Sequence, residues 1–372
     1  MYPNRQESLK TYGWNEDWER AWTGMPESVR RYSPARVIAQ FSHSYAVMTV
    51  QGPCNAIVTG KFEFMAAKRA DYPAVGDWVA AEPLPNESRA VIHAVLPRRT
   101  AMARRAAGSV PEDQIVGANL DYLFIVNALN RDFNVRKIER YLILAWESGA
   151  APVVLLTKAD LCESPESFAA EVGNAAPGVP VHCVSALAET GKEALEAYLK
   201  PGATIGIAGS SGAGKSTLLN WLAGAELQST QGIREDDARG RHTTTHRELF
   251  LLESGALVMD TPGMRELQLS EAQDGWQQAF SDIEELAGSC RFRDCRHEAE
   301  AGCAVTEALA SGELDPKRFA NYKKTARELA RQARKEKAAS SPSDKRSKKT
   351  ARPRSAGKAD LRPGKLICLL DD

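Results

Sequence analysis

Hydrophobic and polar positions follow different patterns in different parts of the chain. Between residues 36 and 99, short stretches rich in β-branched residues, such as RVIAQF, YAVMTV, NAIVTG, GDWVAAE and AVIHAVL, are separated by glycine, proline and asparagine. Several short strands with turn signals between them predict a small β-barrel or sandwich. An OB-type barrel of about 65 residues fits this pattern, and such barrels often bind oligonucleotides. The pattern alone does not separate it from an SH3-like barrel.

From residue 121 onward, apolar runs alternate with amphipathic stretches. The runs YLFIVNAL, PVVLLT, VPVHCVS and TIGIAG predict buried strands, and RELFLLE and ALVMD predict two more. The stretches VRKIERYLILAWES, SPESFAAEV and GKEALEAYL predict helices, the first of which ends at Gly149. Buried strands that alternate with amphipathic helices predict a mostly parallel sheet covered on both faces.

The two ends of the chain differ from this central part. Trp14, Trp18 and Trp22 are spaced four apart, which places three indoles on one face of a helix. We expect that helix to dock on its own protein, and the alternative is a helix that binds a partner. Near the other end, residues 276–334 predict helices interrupted by cysteines and a histidine. The segment SSPSDKRSKKTARPRSAGK has low hydrophobicity and high charge and is expected to be disordered in isolation.

A chain of 372 residues fits two or three domains. The patterns predict a multidomain protein with an N-terminal β-barrel, for which the OB-type β-barrel fits, a central α/β domain and a mostly helical C-terminal domain. The expected boundaries are an N-terminal extension at 1–35, the barrel at 36–100, the α/β domain at 101–275, the helical domain at 276–338 and a basic tail at 339–372.

The net charge of zero hides a strong asymmetry. Residues 317–365 contain 18 lysines and arginines and 4 acidic residues, so the rest of the chain is acidic. Basic tails of this kind usually meet polyanions, and the alternative is a tail that only improves solubility. No run of 18 apolar residues and no signal-peptide pattern is present. We therefore expect no membrane association and a cytoplasmic location.

A glycine-rich segment follows the strand TIGIAG and opens the helix STLLNWLAG. It matches the P-loop pattern G-x-x-x-x-G-K-[ST], in which backbone N–H groups and the helix N-terminus surround phosphates. Lys215 is expected to reach the β- and γ-phosphates, and Ser216 to ligate Mg²⁺. The predicted phosphate-binding residues are Gly209, Ser210, Ser211, Gly212, Ala213, Gly214, Lys215, Ser216 and Thr217.

Two further segments have the properties of nucleotide-dependent switches. Asp260 and Gly263 belong to a D-T-P-G sequence that closes the strand ALVMD. The Asp260 carboxylate is expected to hold the water shell of Mg²⁺, and the Gly263 N–H to sense the γ-phosphate. Upstream, RGRHTTTHRE offers hydroxyls for Mg²⁺. We place the ligand at Thr244, or at another member of Thr243–Thr245, although adjacent threonines before a strand also fit plain β-propensity.

The features that select a base lie upstream of the P-loop. Two short segments resemble the guanine-specificity elements N-K-x-D and S-A-x of GTPases: Thr157, Lys158, Ala159 and Asp160, and then Ser185 and Ala186. The Asp160 carboxylate can accept hydrogen bonds from guanine N1–H and N2–H₂, a donor pair that adenine lacks. The Lys158 stem is expected to lie over the base, and the Ala186 N–H to contact O6. Thr157 replaces the usual asparagine, so we expect the bracing amide to be lost and the affinity to fall.

These motifs occur in an unusual order: base specificity comes first, and the P-loop and both switches follow. Ordinary GTPases run the other way round. Loops at one edge of a sheet can be rejoined by circular permutation when the chain termini lie close together. The sequence therefore predicts a circularly permuted P-loop GTPase domain, in which the second switch directly precedes the C-terminal domain.

The cysteines and histidine of the C-terminal domain have metal-ligand spacing. Cys290, Cys295, His297 and Cys303 provide three thiolates and one imidazole, a full tetrahedral set for one structural Zn²⁺. In a reducing compartment this clustering favours a metal over disulfides. Three arginines are interleaved with the ligands and suit a surface that faces phosphate: Arg291, Arg293 and Arg296.

Together these motifs resemble the ribosome small-subunit-dependent GTPase family (RsgA) over roughly residues 36–334. The specific carriers are the permuted motif order, GRHTTT, DTPG and the Cys/His spacing. The resemblance implies hydrolysis of GTP to GDP that the 30S subunit stimulates, binding to 16S rRNA through the barrel and the zinc domain, and release after hydrolysis. We expect a monomer that uses Mg²⁺ with GTP. Thr157 and the tryptophan-rich N-terminus depart from the family's pattern.

The expected catalytic residue is less well defined. GTPases commonly carry a glutamine after D-x-x-G that orients the attacking water, but this position holds Met264. We expect slow hydrolysis by the chain alone, with His242 as the candidate that orients water; the alternative is a solvated loop histidine. Two other functions compete with this hypothesis: a P-loop kinase or ATPase that acts on small molecules, and a passive RNA-binding protein with a degenerate nucleotide site.

Overall fold

The computed structural model describes residues 7–85, 87–105, 113–227, 247–260, 273–298 and 300–340. The chain divides into a body of residues 1–333 and a second unit of residues 334–372, of which only the part up to residue 340 is described. Over these described ranges, no helix is both long enough and apolar enough to cross a membrane.

The N-terminal segment consists of three short helices: α1 (Glu7–Thr11), α2 (Glu16–Thr23) and α3 (Glu27–Arg30). Helix α2 begins where the Asn15 side chain accepts hydrogen bonds from the backbone N–H groups of Asp17 and Trp18, at 3.1 and 3.2 Å. Such a cap satisfies N–H groups that have no partner inside the helix. Trp18 and Trp22 face inward from α2, and Trp14 lies just before its cap.

The three tryptophans pack against Trp78 and its neighbours in the barrel. Trp18 is only 2% exposed. The rings of Trp14 and Trp18 lie 4.7 and 6.0 Å from the Trp78 ring, and the Arg99 guanidinium lies 4.5 Å from the Trp18 ring. Aromatic pairs at such distances add to the stabilisation from burial. The prediction that this helix docks on its own protein is confirmed.

Five strands form a closed barrel: β1 (Ser33–Gln40), β2 (Tyr45–Thr49), β3 (Gly52–Val58), β4 (Trp78–Pro83) and β5 (Arg89–Val95), with helix α4 (Gly60–Met65) between β3 and β4. The order is β1-β2-β3-β5-β4, and β1 pairs with β4 to close it. Only β3 and β5 pair in parallel. Alternate side chains fill the interior, as the strand period requires. The five predicted strands are confirmed, and this five-stranded closure is the OB-type arrangement.

A hairpin and a six-stranded sheet follow the barrel. The hairpin is formed by β6 (Ala101–Arg105) and β7 (Asp113–Ala118); the sheet is formed by β8 (Tyr122–Ala128), β9 (Ala151–Thr157), β10 (Val181–Cys183), β11 (Thr204–Gly209), β12 (Arg247–Leu251) and β13 (Leu257–Asp260). The order in the sheet is β10-β9-β8-β11-β13-β12. Every neighbouring pair is parallel except β12–β13. The predicted mostly parallel sheet is confirmed.

Helices cover both faces of this sheet: α5 (Val135–Ser148), α6 (Pro165–Ala175) and α7 (Lys215–Ala223). Leu123 and Ile125 of β8 share an apolar cluster with α5 and α6, whereas Phe124 and Val126 share another with α7. Helix α5 ends at Gly149, whose φ of 81° is the left-handed conformation of a helix cap.

The predicted helix over GKEALEAYL is wrong. Only Glu193–Leu195 forms a short 3₁₀ turn there. Leu195 and Leu199 belong to the apolar cluster that the sheet forms with α7. The Tyr198 hydroxyl forms a hydrogen bond of 2.9 Å with the His182 Nε2 atom. Burial of these side chains outweighs the helix propensity of the segment, although most of its residues are good helix formers.

Four helices form the C-terminal part: α8 (Gln273–Ala279), α9 (Ser281–Gly288), α10 (Ala304–Ser311) and α11 (Pro316–Ser340). They flank the Cys/His cluster, as predicted. A buried Arg318 joins α11 to the body, because it donates to Glu139 of α5 at 3.0 Å and to Asp282 of α9 at 2.6 Å. Burial raises the pKa of the Glu139 carboxyl to about 7, against the opposing effect of Arg318.

Contacts among the described residues join the barrel to the sheet. Strand β12 pairs antiparallel with β1 through Ala39 and Gln40, and the Arg247 guanidinium donates to the Gln40 side chain at 3.1 Å. Nearer the start of β1, the buried Arg36 guanidinium donates to the Thr204 hydroxyl at 2.9 Å and to the Tyr12 carbonyl. Arg36 thus contacts the N-terminal segment and the first residue of β11 at once.

Truncation of a docked tryptophan tests the role of the N-terminal segment. We expect Trp18→Ala to lower the free energy of unfolding by about 3–5 kcal/mol, because a large ring is removed from a packed site. Urea unfolding followed by far-ultraviolet circular dichroism measures the change. Glu27→Ala, on the exposed side of α3, is the control and should stay within about 0.5 kcal/mol of wild type. Equal stability of the two variants would contradict docking.

Candidate functional site

The predicted base-specificity segment after β9 and the P-loop meet at one edge of the sheet. Strands β9 and β11 flank β8 in parallel, with Thr157 paired to Ala128 and Gly209 paired to Val126. Parallel neighbours end at the same edge, which is where open α/β sheets bind ligands. The base-specificity segment after β9 and the P-loop after β11 therefore lie side by side, although about 50 residues separate them in the chain.

The P-loop has the backbone geometry that phosphate binding requires. Gly209 has a φ of 150°, and a Cβ there would lie 2.2 Å from the Val126 carbonyl oxygen, so only glycine fits. Gly214 has a φ of 88° and stands at the start of α7. The helix N-terminus directs its N–H groups towards the loop. The Lys215 ammonium lies inside this turn, where it donates to the carbonyls of Gly209 and Ser210 at 2.9 and 2.7 Å.

The other P-loop residues occupy distinct places around this turn. Ser210 is half-buried, Ser211 and Gly212 form its exposed tip, and Ala213 is buried beneath it. Ser216 and Thr217 lie in the first turn of α7 and are half-buried. The loop therefore presents main-chain groups, one ammonium and a nearby hydroxyl, which together can bind a polyphosphate with a metal ion.

Thr157 joins the base-specificity segment to the P-loop. Its side chain is buried, and its hydroxyl donates to the Ala213 carbonyl at 2.6 Å. The asparagine amide is absent, but the shorter hydroxyl reaches the P-loop, because β9 and β11 are separated by only one strand. The expected fall in affinity stays a prediction. A buried hydrogen bond of this kind fixes the spacing between the two halves of the site.

The residues predicted to contact the base are also held in place by hydrogen bonds. Lys158 adopts a left-handed conformation with a φ of 59°, which turns the chain into the short 3₁₀ turn that carries Asp160. The Ser185 hydroxyl donates to the Asp160 carboxylate, and the Ala159 N–H donates to the Val184 carbonyl at 3.3 Å. The two base-specificity segments thus support each other, with the Asp160 side chain at the surface.

Sequence reasoning missed how the second segment is built. Ser185 and Thr190 exchange backbone hydrogen bonds of 3.1 and 3.0 Å, which closes the loop between them. Within that loop the Ala188 N–H donates to the Ser185 hydroxyl at 3.1 Å, and Ala186 lies half-buried beside it. Lys192 then donates to the Trp221 carbonyl at the end of α7, at 3.3 Å. The sequence signal is the polar stretch ETGK at residues 189–192, which follows three apolar residues.

The switch residues are only partly placed. Asp260 is the last residue of β13 and pairs with Ile207 of β11, so its backbone lies at the same sheet edge as the P-loop. His242, Thr243–Thr245 and Gly263 lie outside the described residues. Their predicted roles stay predictions.

A second cluster lies between α9 and α10. The ligand atoms of Cys290, Cys295, His297 and Cys303 all lie within 4.8 Å of one another. The His297 Nδ1 atom is 3.6 Å from the Cys290 sulfur and 3.5 Å from the Cys303 sulfur, and those two sulfurs are 3.9 Å apart. A zinc tetrahedron with Zn–S bonds of about 2.3 Å has edges of roughly 3.5–3.8 Å. The spacing and the donor atoms both fit a four-coordinate metal site.

Known proteins resemble this chain in sequence over most of its length. A model of the RsgA GTPase family matches residues 95–270. The small ribosomal subunit biogenesis GTPase RsgA 1 of Listeria innocua is 47% identical over 303 residues, which cover 82% of this chain and 85% of that protein. The small ribosomal subunit biogenesis GTPase RsgA of Opitutus terrae is 45% identical over 337 residues, covering 88% of this chain and 91% of that protein.

Two solved structures resemble this chain in fold. YjeQ from Thermotoga maritima superposes with a TM-score of 0.61 and 28% identity, covering 80% of this chain and 98% of that one. YloQ, a circularly permuted GTPase, has a TM-score of 0.58 and 25% identity, covering 83% of this chain and 99% of that one.

The Thr157 hydroxyl provides a direct test of the link between the two halves of the site. We expect Thr157→Val to weaken GTP and GDP binding by roughly 5- to 10-fold, because the Ala213 carbonyl loses its buried donor while the side-chain shape is kept. Fluorescent-nucleotide titration measures both affinities. Thr157→Ser keeps the hydroxyl and should bind close to wild type. Wild-type affinity in Thr157→Val would show that the bond does not position the P-loop.

Proposed function

Because the chain belongs to the RsgA family of small ribosomal subunit biogenesis GTPases, we propose that it hydrolyses GTP to GDP and phosphate during late maturation of the small (30S) ribosomal subunit. The observation that carries the proposal is the joined site at the sheet edge. There Asp160 is held by Ser185, and Thr157 bonds the same segment to the P-loop.

Guanine selection rests on Asp160. Its carboxylate accepts two hydrogen bonds from guanine N1–H and N2–H₂, and adenine offers no such donor pair. The Lys158 stem covers one face of the base, and the Ala186 N–H meets O6. A site built around a specific hydrogen-bonded pair rejects the analogue that lacks it by a large factor.

Phosphate binding falls to the P-loop. Its backbone N–H groups and the α7 N-terminus surround the phosphates, and Lys215 neutralises the β- and γ-phosphates. Ser216, Thr244 (or its neighbours in Thr243–Thr245) and Asp260 would hold Mg²⁺. When bound, that ion would offset the negative charge that develops during transfer. Gly263 senses the γ-phosphate through its N–H.

Hydrolysis needs a group that orients the attacking water. Met264 cannot do so, since a thioether is only a weak hydrogen-bond acceptor. We assign the role to His242, which directly precedes the threonines. Hydrolysis is then slow in the free protein and fast on the subunit, where the switch segments meet ribosomal components. The GTP state binds 16S rRNA through the barrel and the zinc domain, and hydrolysis releases the protein as a monomer into the cytoplasm.

The cysteine and histidine cluster is proposed to hold one structural Zn²⁺. The four donors complete a tetrahedron, so no position is left for a substrate. The metal would fix the loop between α9 and α10 and, with it, the interleaved arginines. The proposed domains have their boundaries at 1–35, 36–100, 101–275, 276–338 and 339–372.

Nucleotide hydrolysis with and without purified 30S subunits tests the function. We expect weak GTP turnover by the chain alone, a large rise with the subunit and little use of ATP. Equal use of ATP would favour a kinase or ATPase, and a lack of turnover in every condition would favour a passive RNA-binding protein.

A variant of the base contact sharpens this test. We expect Asp160→Asn to weaken GTP binding at least 100-fold, because the amide cannot accept both guanine donors. The same amide matches the N1–H and the C2 carbonyl of xanthine, so xanthosine triphosphate should bind better to Asp160→Asn than to wild type. Competition titration measures both affinities. Unchanged GTP affinity would exclude Asp160 from the base contact.

Metal analysis tests the zinc assignment. We expect one zinc ion per purified chain by mass spectrometry, and a loss of most of it in Cys303→Ser, because one thiolate ligand is removed. Cys54→Ser, in the barrel and outside the cluster, is the matched control and should keep its zinc. A metal content that is the same in both variants would contradict the assignment.

A further inference from the structure

One surface of the barrel is more exposed and more apolar than its fold requires. Phe64 and Met65 end helix α4 with side chains that are 91% and 71% exposed. Over the described residues, no other large hydrophobic side chain is as exposed as Phe64. We name the surface formed by Lys61, Phe64, Met65, Lys68 and Arg69 the α4 platform. A cluster of this kind, rimmed by charge, marks an interaction site.

The opposite face of α4 holds it to the barrel. Phe62 packs edge-on against the Tyr72 ring, with centroids 5.8 Å apart. The Thr59 hydroxyl accepts the Phe62 N–H at 3.0 Å and caps the helix. Phe62 therefore anchors α4, and Phe64 adds nothing to that anchorage.

The segment after α4 is also fixed. The Asp71 carboxylate accepts the N–H groups of Ala67 and Lys68, each at 2.9 Å. Arg98 donates to the Ala70 carbonyl at 2.6 Å and to the Tyr72 carbonyl at 2.8 Å. The same guanidinium is paired with the fully buried Asp77 at 2.7 Å. The platform is thus preorganised, which lowers the cost of binding.

The charge around the ring is mostly positive. Lys61, Lys68 and Arg69 are exposed close to Phe64 and Met65 in the sequence, and Glu63 and Asp71 are the exposed acids of the same stretch. The Asp71 carboxylate already accepts two backbone N–H groups. An exposed aromatic ring among cations is the arrangement that single-stranded nucleic acid fits, because bases stack on the ring and phosphates meet the cations.

We propose that the α4 platform binds an unpaired stretch of RNA, with one base stacked on Phe64 and the flanking phosphates at Lys61, Lys68 and Arg69. The proposal rests on the proposed function, since the RNA it would meet is that of the small subunit. It adds a contact outside the barrel strands. A hydrophobic groove of a protein is the weaker fit, because burying three cations is costly unless carboxylates pair with them.

Site-specific crosslinking tests the proposal directly. Replacement of Phe64 by the photoreactive p-benzoylphenylalanine, in the full chain bound to 30S subunits with a non-hydrolysable GTP analogue, should give a crosslink to 16S rRNA at an unpaired nucleotide. A crosslink to a ribosomal protein alone would overturn the proposal. So would the lack of any crosslink from a protein that binds the subunit normally.

Two substitutions separate stacking from simple apolar contact. Phe64→Leu keeps the bulk but removes the ring, and should weaken 30S binding at least fivefold. Phe64→Trp keeps an aromatic face and should bind within twofold of wild type. Glu63→Gln, beside the ring, is the matched control and should bind at least as tightly as wild type. Wild-type binding by Phe64→Leu would overturn the proposal.

Salt dependence tests the phosphate contacts. The double variant Lys61→Gln and Lys68→Gln should flatten the dependence of the logarithm of the 30S affinity on the logarithm of salt concentration by roughly 0.7 for each phosphate that is no longer neutralised. GTP turnover without subunits should stay unchanged in all these variants, since the platform lies on the barrel. An unchanged salt slope would overturn the assignment of phosphates to these lysines.

The two proposals fail in different ways. If wild-type protein neither binds 30S subunits nor responds to them, the proposed function fails and the platform proposal fails with it. If wild type binds and responds while Phe64→Leu behaves identically, only the platform proposal fails.

Discussion

The hydrogen bond from the Thr157 hydroxyl to the Ala213 carbonyl is the contact on which the nucleotide site depends. It spans the gap between two loops that the chain supplies from distant segments, and it can form only because β8 separates β9 from β11 by a single strand. Other contacts add to this link: glycines shape the phosphate loop, Ser185 orients Asp160, and Lys192 donates to the end of α7. Without the link, each half keeps its shape, but no direct hydrogen bond fixes the Thr157 segment against the P-loop.

Much of this arrangement could be predicted from sequence because its signals are local. Five short barrel strands, the P-loop between a strand and a helix, and the four metal-ligand residues each carry their pattern within a few residues. The helix predicted over residues 191–199 is wrong, since burial of Leu195 and Leu199 decides the conformation of that segment. The partner of Thr157 was equally hidden: no sequence pattern shows that a threonine will meet a carbonyl 56 residues away.

Buried arginines set the arrangement of the parts, and they too escape sequence reasoning. Arg318 appears in a basic stretch and resembles a surface residue, yet it is buried between α5, α9 and α11. Arg36 alternates with apolar residues in a strand, yet it bonds to Tyr12 and Thr204, and burial lowers the pKa of its guanidinium to about 10. Buried ion pairs are weak evidence for stability, but each guanidinium here has several partners that only one arrangement of the elements can satisfy.

Strand β12 has the barrel strand β1 on one side and β13 on the other. Thr243–Thr245, which precede β12 in the sequence, are the residues proposed to hold Mg²⁺. Strand β13 leads into the D-T-P-G segment. Neighbouring strands lie only about 5 Å apart. Across these three described strands, backbone hydrogen bonds rather than a flexible linker connect the barrel to the nucleotide-binding sheet. A tilt of β12 imposed from either side would therefore shift the strand on the other side as well.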